Sequence, residues 1–167
     1  KAKAGEETSI FLKMNSLTDR QLIDALKEAS QAGVKIKMII RGICCILPGI
    51  EGKTDNIEVI SVVGRFLEHS RIFCFGTGEN MKMYIASADW MTRNTENRVE
   101  IAAPIYDQKI KNSIYDTLRI MWKDNLKARI LCSDGTYKKP EIKEGDELID
   151  CQNYLRHEYK VGRKIKL

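Results

Sequence analysis

At 167 residues, 43% hydrophobic and 31% charged, with three prolines, the chain has the material for one ordinary domain with a real core, which argues against disorder over most of its length. The formal net charge of +5 favours anionic partners without singling one out. The longest apolar stretch, GICCILPGI (42–50), is broken by proline and falls far short of a membrane span.

The opening KAKAGEETSIFLKMN begins on solvated residues and runs straight into a strand over 9–15, so the chain reads as a fragment of a longer protein. LTDRQLIDALKEASQAG follows, with Thr18 as the capping candidate, Leu22, Ile23, Leu26 and Ala29 at helical spacing, and Gly33 at the stop. In 34–40 the residues Val34, Ile36, Met38 and Ile40 alternate with Lys35 and Lys37, predicting a strand with one buried face. Strand, helix and strand within about thirty residues is the βαβ pattern and implies a sheet that is at least partly parallel. A turn-rich loop over 41–56 leads to strands at 57–63, 71–75 and 81–87, the last two joined by the hairpin turn GTGEN. RVEIAAPI (98–105) reads as a further strand. An amphipathic helix opens at Asp107, with Ile110, Ile114, Leu118 and Met121 on one face. LKARIL predicts an edge strand, and ELIDCQNYLRHEYK a terminal helix. The fold class is therefore α/β.

Cys44, Cys45, Cys74, Cys132 and Cys151 contain no C-x-x-C pair and no metal-ligand spacing with His69 or His157. They read as mostly buried reduced thiols of a reducing compartment. His157 reads as a surface residue and KVGRKIKL (160–167) as a solvated basic tail. PGIEGKTD lacks both the spacing and the strand–loop–helix setting of a P-loop.

Arg41 ends the second strand just before Gly42, where ligands gather in open α/β sheets; a guanidinium there suits a bidentate grip on phosphate. The plainer alternative is a solvated residue closing a strand. His69 and Arg71 in LEHSRIF share a strand face by alternation, which places an imidazole and a guanidinium over one patch. Imidazole can attack phosphorus or shuttle a proton while the cation holds substrate oxygens; a hydrogen-bonded loop histidine is the competing reading. SADWMTRN adds Ser87, Asp89, Arg93 and Asn94 after a strand end, as donors or as a carboxylate at Asp89 that orients an imidazole or a cation, or else as an ordinary cap and turn. Trp90 and Met91 read as packing residues. Lys13 and Asn15, at the end of the first strand, add charge to the same edge or face water.

HSR followed by YIASADWMTRN resembles the H-x-K … G-S-x-N pattern of the phospholipase D superfamily. Arg71 stands at the lysine position and ASAD replaces the G-S-x-N turn, which argues against ordinary phosphodiester hydrolysis. The long motifs at 39–76 and 84–102 resemble more closely the carboxyl-terminal phospholipase D-like domain of bacterial polyphosphate kinases, from about residue 9 to about 131. That resemblance implies a phospholipase D-like domain over 1–132, a mixed β-sheet flanked by helices. A charged, partly helical extension over 133–167 is expected to pack on it.

In the family, ATP and inorganic polyphosphate are substrates, and ADP is the product of chain growth. The phosphate-carrying histidine and the magnesium-binding arginines lie in an upstream domain of the same polypeptide. The domain similar to this chain contributes one arginine and one histidine to the ATP site, which by motif fall on Arg41 and His69. Lys13, Asn15, Arg71, Ser87, Asp89 and Arg93 are candidates for holding polyphosphate or supporting the site. The resemblance further implies Mg2+ held mainly upstream and no metal ligand in this chain. It also implies a homo-oligomer, a cytoplasmic setting with peripheral membrane association, no transmembrane segment and no nucleic-acid partner. The fragment is expected to be inactive alone. Half of a phospholipase D-like phosphodiesterase or nuclease is the alternative, and a non-catalytic anion-binding or assembly domain a third.

Overall fold

The computed structural model describes residues 1–160. The chain forms β1 (Ser9–Met14), crosses through α1 (Arg20–Gln31) and returns as β2 (Lys35–Ile40), parallel to β1 with Ser9 opposite Lys35 and Met14 opposite Ile40. β3 (Ile57–Val62) adds in parallel beyond β2. On the other side of β1, β4 (Arg71–Phe75), β5 (Lys82–Ala86) and β6 (Ala102–Ile105) follow as an antiparallel meander. β7 (Ala128–Leu131) runs antiparallel to β3, and β8 (Tyr137–Lys138) pairs with β7. The resulting eight-stranded mixed sheet has the order β6-β5-β4-β1-β2-β3-β7-β8. The remaining helices are α2 (Thr92–Asn97), α3 (Gln108–Trp122) and α4 (Cys151–Lys160). None of the described helices is long and apolar enough to cross a membrane.

The core is double. Leu12, Met14, Ile36, Met38, Ile40 and Val59 pack beneath Ile23 and Leu26 of α1. Phe11, Ile39, Ile60, Val62, Ile72 and Cys74 face Leu118 and Met121 of α3 and Cys151 of α4. β2 therefore has two buried faces instead of the single one predicted, because parallel strands at the centre of a sheet are covered on both sides. Phe11 is held edge-on by Tyr115 and Trp122, with ring centroids 5.9 and 5.6 Å away. Lys37 stays on this face by laying its ammonium over the Trp122 ring at 4.9 Å.

Local differences from the predicted elements have local causes. Asp19, not Thr18, caps α1: its carboxylate accepts from the Leu22 amide at 3.0 Å and from the Thr95 hydroxyl at 2.6 Å. The Thr95 hydroxyl and then the Leu22 amide hold its acid below the ordinary carboxylate range. Asp107 caps α3 as expected, but Ile110 lies 52% exposed, so the buried stripe of α3 lies toward its carboxyl half. The predicted strand at 98–105 shortens to β6, whose pairing with β5 begins at Ala102 opposite Ala86, the last residue of β5. β7 is not an edge strand, because residues 132–136 turn the chain back as β8.

All five cysteines are free; Cys74 and Cys151 are buried, and burial pushes the Cys74 thiol up to about 12. Cys44 and Cys132 are half-buried and Cys45 is exposed, so burial is less general than the sequence suggested. His157 lies exposed on α4, while the tail beyond Lys160 falls outside the described residues.

This topology decides where the candidate residues meet. β1, β2 and β3 end at one edge of the sheet; β4, antiparallel to β1, begins there, and β5 ends there. The loops at that edge are sewn together through Leu17, which donates to Ile43 at 2.8 Å and accepts from Cys45 at 2.9 Å. Thr18 and Asp19 both donate to the Trp90 carbonyl, at 2.8 and 3.0 Å.

Candidate functional site

A row of hydrogen bonds runs along this edge from Arg41 to His69. Asn15, directly after β1, accepts from Nε of Arg41 through Oδ1 at 2.6 Å. Its Nδ2 donates to both oxygens of Asp89, at 3.0 and 3.2 Å, and its backbone amide to Oδ1 at 2.6 Å. Arg71 meets the same carboxylate, with Nε 3.3 Å from Oδ1 and Nη2 2.9 Å from Oδ2. Beyond Arg71, its Nη1 lies 3.1 Å from Nδ1 of His69 and its Nη2 3.4 Å from Nε2. A guanidinium only donates, so a ring nitrogen that bonds Arg71 does so as the acceptor.

Backbone geometry holds the start of the row. The Gly42 amide donates to the Asn15 carbonyl at 2.8 Å, and a Cβ on Gly42 would stand 2.8 Å from that same oxygen. Glycine is therefore what lets the ends of β1 and β2 approach closely enough for Arg41 to reach Asn15. The Arg41–Asn15 bond consumes only Nε; among the described residues the two terminal nitrogens of Arg41 have no hydrogen-bond partner.

Asp89 is the hub. Burial pushes its acid up, but hydrogen bonds from Arg71 and then from Asn15 outweigh that, and the carboxyl sits below its ordinary range. The Arg71–Asp89 pair is largely out of water, with side chains 14% and 9% exposed.

A second set of bonds supports the row from the α4 side. Lys13 does not face water: it is 2% exposed, donates to the Ser70 carbonyl at 3.0 Å and hydroxyl at 2.8 Å, and lies 3.6 Å from Glu68. Burial lowers its pKa, and Glu68 offsets part of that effect. Gln152 in turn donates to Glu68 at 3.1 Å.

The geometry thus brings Lys13, Asn15, Arg41, His69, Arg71 and Asp89 together. Ser87 and Arg93 are not in the row. The exposed Ser87 hydroxyl donates to Glu100 and accepts from the Ile101 amide at 3.0 Å. Ser87 and Asn94 both serve Glu100, whose acid is lowered first by Ser87 and then by Asn94. Arg93 lies exposed on α2, and its side chain makes no hydrogen bond or ion pair among the described residues. Trp90 packs on Phe73, ring centroids 5.3 Å apart. Sequence reasoning passed over Glu68, Ser70, Glu100 and Gln152. The first two lie inside the LEHSRIF stretch and were within reach, whereas nothing near Gln152 signals its partner 86 residues away.

None of the row lines the cavity of about 500 Å3 beside β3 and β7. The site's charged groups are Arg71 paired with Asp89, Lys13 paired with Glu68, and Arg41 bonded to Asn15. Among the described residues no three His, Cys, Asp or Glu side chains gather as a metal site. With Asp89 fully bonded, the row does not fit a magnesium ion.

A protein-family model described as polyphosphate kinase C-terminal domain 2 matches residues 1–152. A polyphosphate kinase of Thermosynechococcus vestitus is 50% identical over 145 residues, covering 87% of this chain and 20% of that protein. The crystal structure of polyphosphate kinase from Porphyromonas gingivalis superposes with a TM-score of 0.90 at 38% identity, over 96% of this chain and 24% of that one. The phospholipase D family member Nuc from Salmonella typhimurium shares the fold, with a TM-score of 0.55 at 17% identity over 83% of this chain and 87% of its own. The chain spans about a fifth to a quarter of the length of the polyphosphate kinases it matches. With a phospholipase D-like α/β fold and a family match over nearly its whole length, the chain belongs to the polyphosphate kinase C-terminal domain 2 family.

Proposed function

We propose that this chain is the carboxyl-terminal half-site of a polyphosphate kinase, which moves the terminal phosphate of ATP reversibly onto inorganic polyphosphate. In balance, ATP and a chain of n phosphates give ADP and a chain of n + 1. The observation that carries the reading is the row from Arg41 to His69 on one sheet edge, with Nε of Arg41 bonded to Asn15 and its terminal nitrogens without a hydrogen-bond partner among the described residues. Phosphoryl transfer asks the protein mainly for position and charge neutralisation. Arg41 grips the ATP phosphate oxygens with its two terminal nitrogens. His69 meets the transferring phosphoryl group with its imidazole as a proton donor or acceptor, and Arg71 supplies positive charge behind it. Arg71 is itself fixed by Asp89, so the imidazole sits on a rigid support.

In this reading the phosphate passes through a phosphohistidine carried elsewhere in a longer polypeptide. Magnesium, held by that other part, supplies charge neutralisation at the phosphates. The site then works only when both halves are present in the oligomer, and Lys13 and Asn15 support it while Ser87 and Arg93 lie at its margin.

The test is a choice of substrate. The full-length protein carrying this chain, given ATP and magnesium, is expected to build acid-labile phosphohistidine and then polyphosphate, and to leave bis(p-nitrophenyl) phosphate intact. Release of nitrophenol from that diester, without growth of polymer from ATP, would establish the phosphodiesterase reading instead.

A further inference from the structure

Residues 64–69, which lead into β4 and carry His69, form neither helix nor strand. Among the described residues no backbone-to-backbone hydrogen bond outside the regular elements involves them. Side chains hold this segment instead. Gln152 of α4, 6% exposed, accepts from the Phe66 amide at 2.9 Å and donates to the Phe66 carbonyl at 2.8 Å, as a neighbouring strand would. Its second amide hydrogen goes to Glu68 at 3.1 Å, and Glu68 pairs with Lys13, which donates to Ser70. The residues on either side of His69 are thereby tied down, while its ring is left free to meet Arg71.

The approach is built into the chain. A Cβ on Gly64 would stand 2.5 Å from Oε1 of Gln152 and 2.9 Å from its Cδ, so the amide reaches Phe66 only because residue 64 has no side chain. A residue that merely packed α4 against the sheet would not need every donor and acceptor spent on one loop; an apolar side chain of the same volume would fill the space.

We propose that Gln152 is a positioning residue for His69: it fixes the 64–69 loop so that the imidazole stands at a set distance from the phosphates gripped by Arg41. This rests on the reading of His69 given above. The predicted signature is a loss in turnover without a loss in ATP affinity, because Arg41 is not held by this loop.

The experiment uses the full-length protein with Gln152→Leu, which keeps the volume and removes the bonds, and Gly64→Ala, which obstructs the same approach. Both are expected to lower kcat about a hundredfold, as misplacement by about 1 Å does, and to leave KM for ATP within about twofold. Hydrogen exchange in peptides covering 64–69 should quicken by about tenfold or more while the strands keep their protection. Wild-type kcat, a raised KM at unchanged kcat, or unaltered exchange in 64–69 would each overturn the proposal. If the wild-type protein made no polymer, the kinase reading would fall, and the exchange measurement would by itself decide whether Gln152 holds the loop.

Discussion

Replacing Arg41 with alanine in the full-length protein is expected to slow ATP-dependent polymer growth by about a thousandfold, the scale on which a lost arginine or oxyanion donor acts in phosphoryl and acyl transfer. The fold should barely notice. Arg41 is half-buried and gives up one hydrogen bond, to Asn15, so a loss of about 1 kcal/mol and a Tm shift of about 2–4 °C are expected. Arg41→Lys restores the charge without the fork and should recover only part of the rate. Steady-state kinetics beside thermal melts separate the two effects. A variant that melts normally and still elongates polymer at the wild-type rate would remove Arg41 from the site.

Asp89→Ala is expected to damage both stability and turnover. It strips the partner from Arg71 and leaves the Asn15 and Ser16 amides without their acceptor, all in a region largely closed to water. Breaking a buried pair by removing one partner costs about 3–5 kcal/mol. For a domain of this size that lowers Tm by roughly 10 °C. Polymer growth should fall with it, since Arg71 and Asn15 no longer hold His69 and Arg41. Asp89→Asn keeps an acceptor for the backbone amides but turns an amide donor toward Arg71, so most of the loss should remain.

The pH dependence has a definite sign. The folded-state acid of Asp89 is depressed, so its contribution is complete above the unfolded carboxylate range near pH 4 and drains away as pH falls through the lower folded value. Acid unfolding of the wild type should therefore steepen below about pH 4, and Asp89→Asn should flatten that limb. An unchanged acid limb in the variant would mean that Asp89 carries no such linkage.

The parts of the fold that rest on periodicity could be read from the residues alone. The β1–α1–β2 crossover, the strands expected at 57–63 and 71–75 and the helix opening at Asp107 all follow from spacing. What escaped was set by contacts between distant segments. Asp19 caps α1 while also accepting from Thr95, 76 residues away, and the strand expected at 98–105 begins only at Ala102. The second buried face of β2 exists because α3 covers it. At the site, Arg41, His69 and Arg71 were legible because their side chains sit at strand ends or alternate along one strand. Asp89 was legible as a carboxylate that orients a cation, but its bonds to Asn15 and the burial of Lys13 were not: each depends on a partner 57 to 74 residues away. Ser87 shows the converse. Its position in the motif pointed to the patch, whereas Glu100, 13 residues on, takes its hydroxyl.

The most direct measurement follows the γ-phosphate of radiolabelled ATP through a single turnover in full-length protein carrying His69→Ala. If His69 meets the transferring phosphoryl group, label in acid-labile phosphohistidine and label in polymer should both appear about a hundredfold more slowly or worse, with ATP still bound. Both labels appearing at the wild-type rate would contradict a cationic rim built around this imidazole.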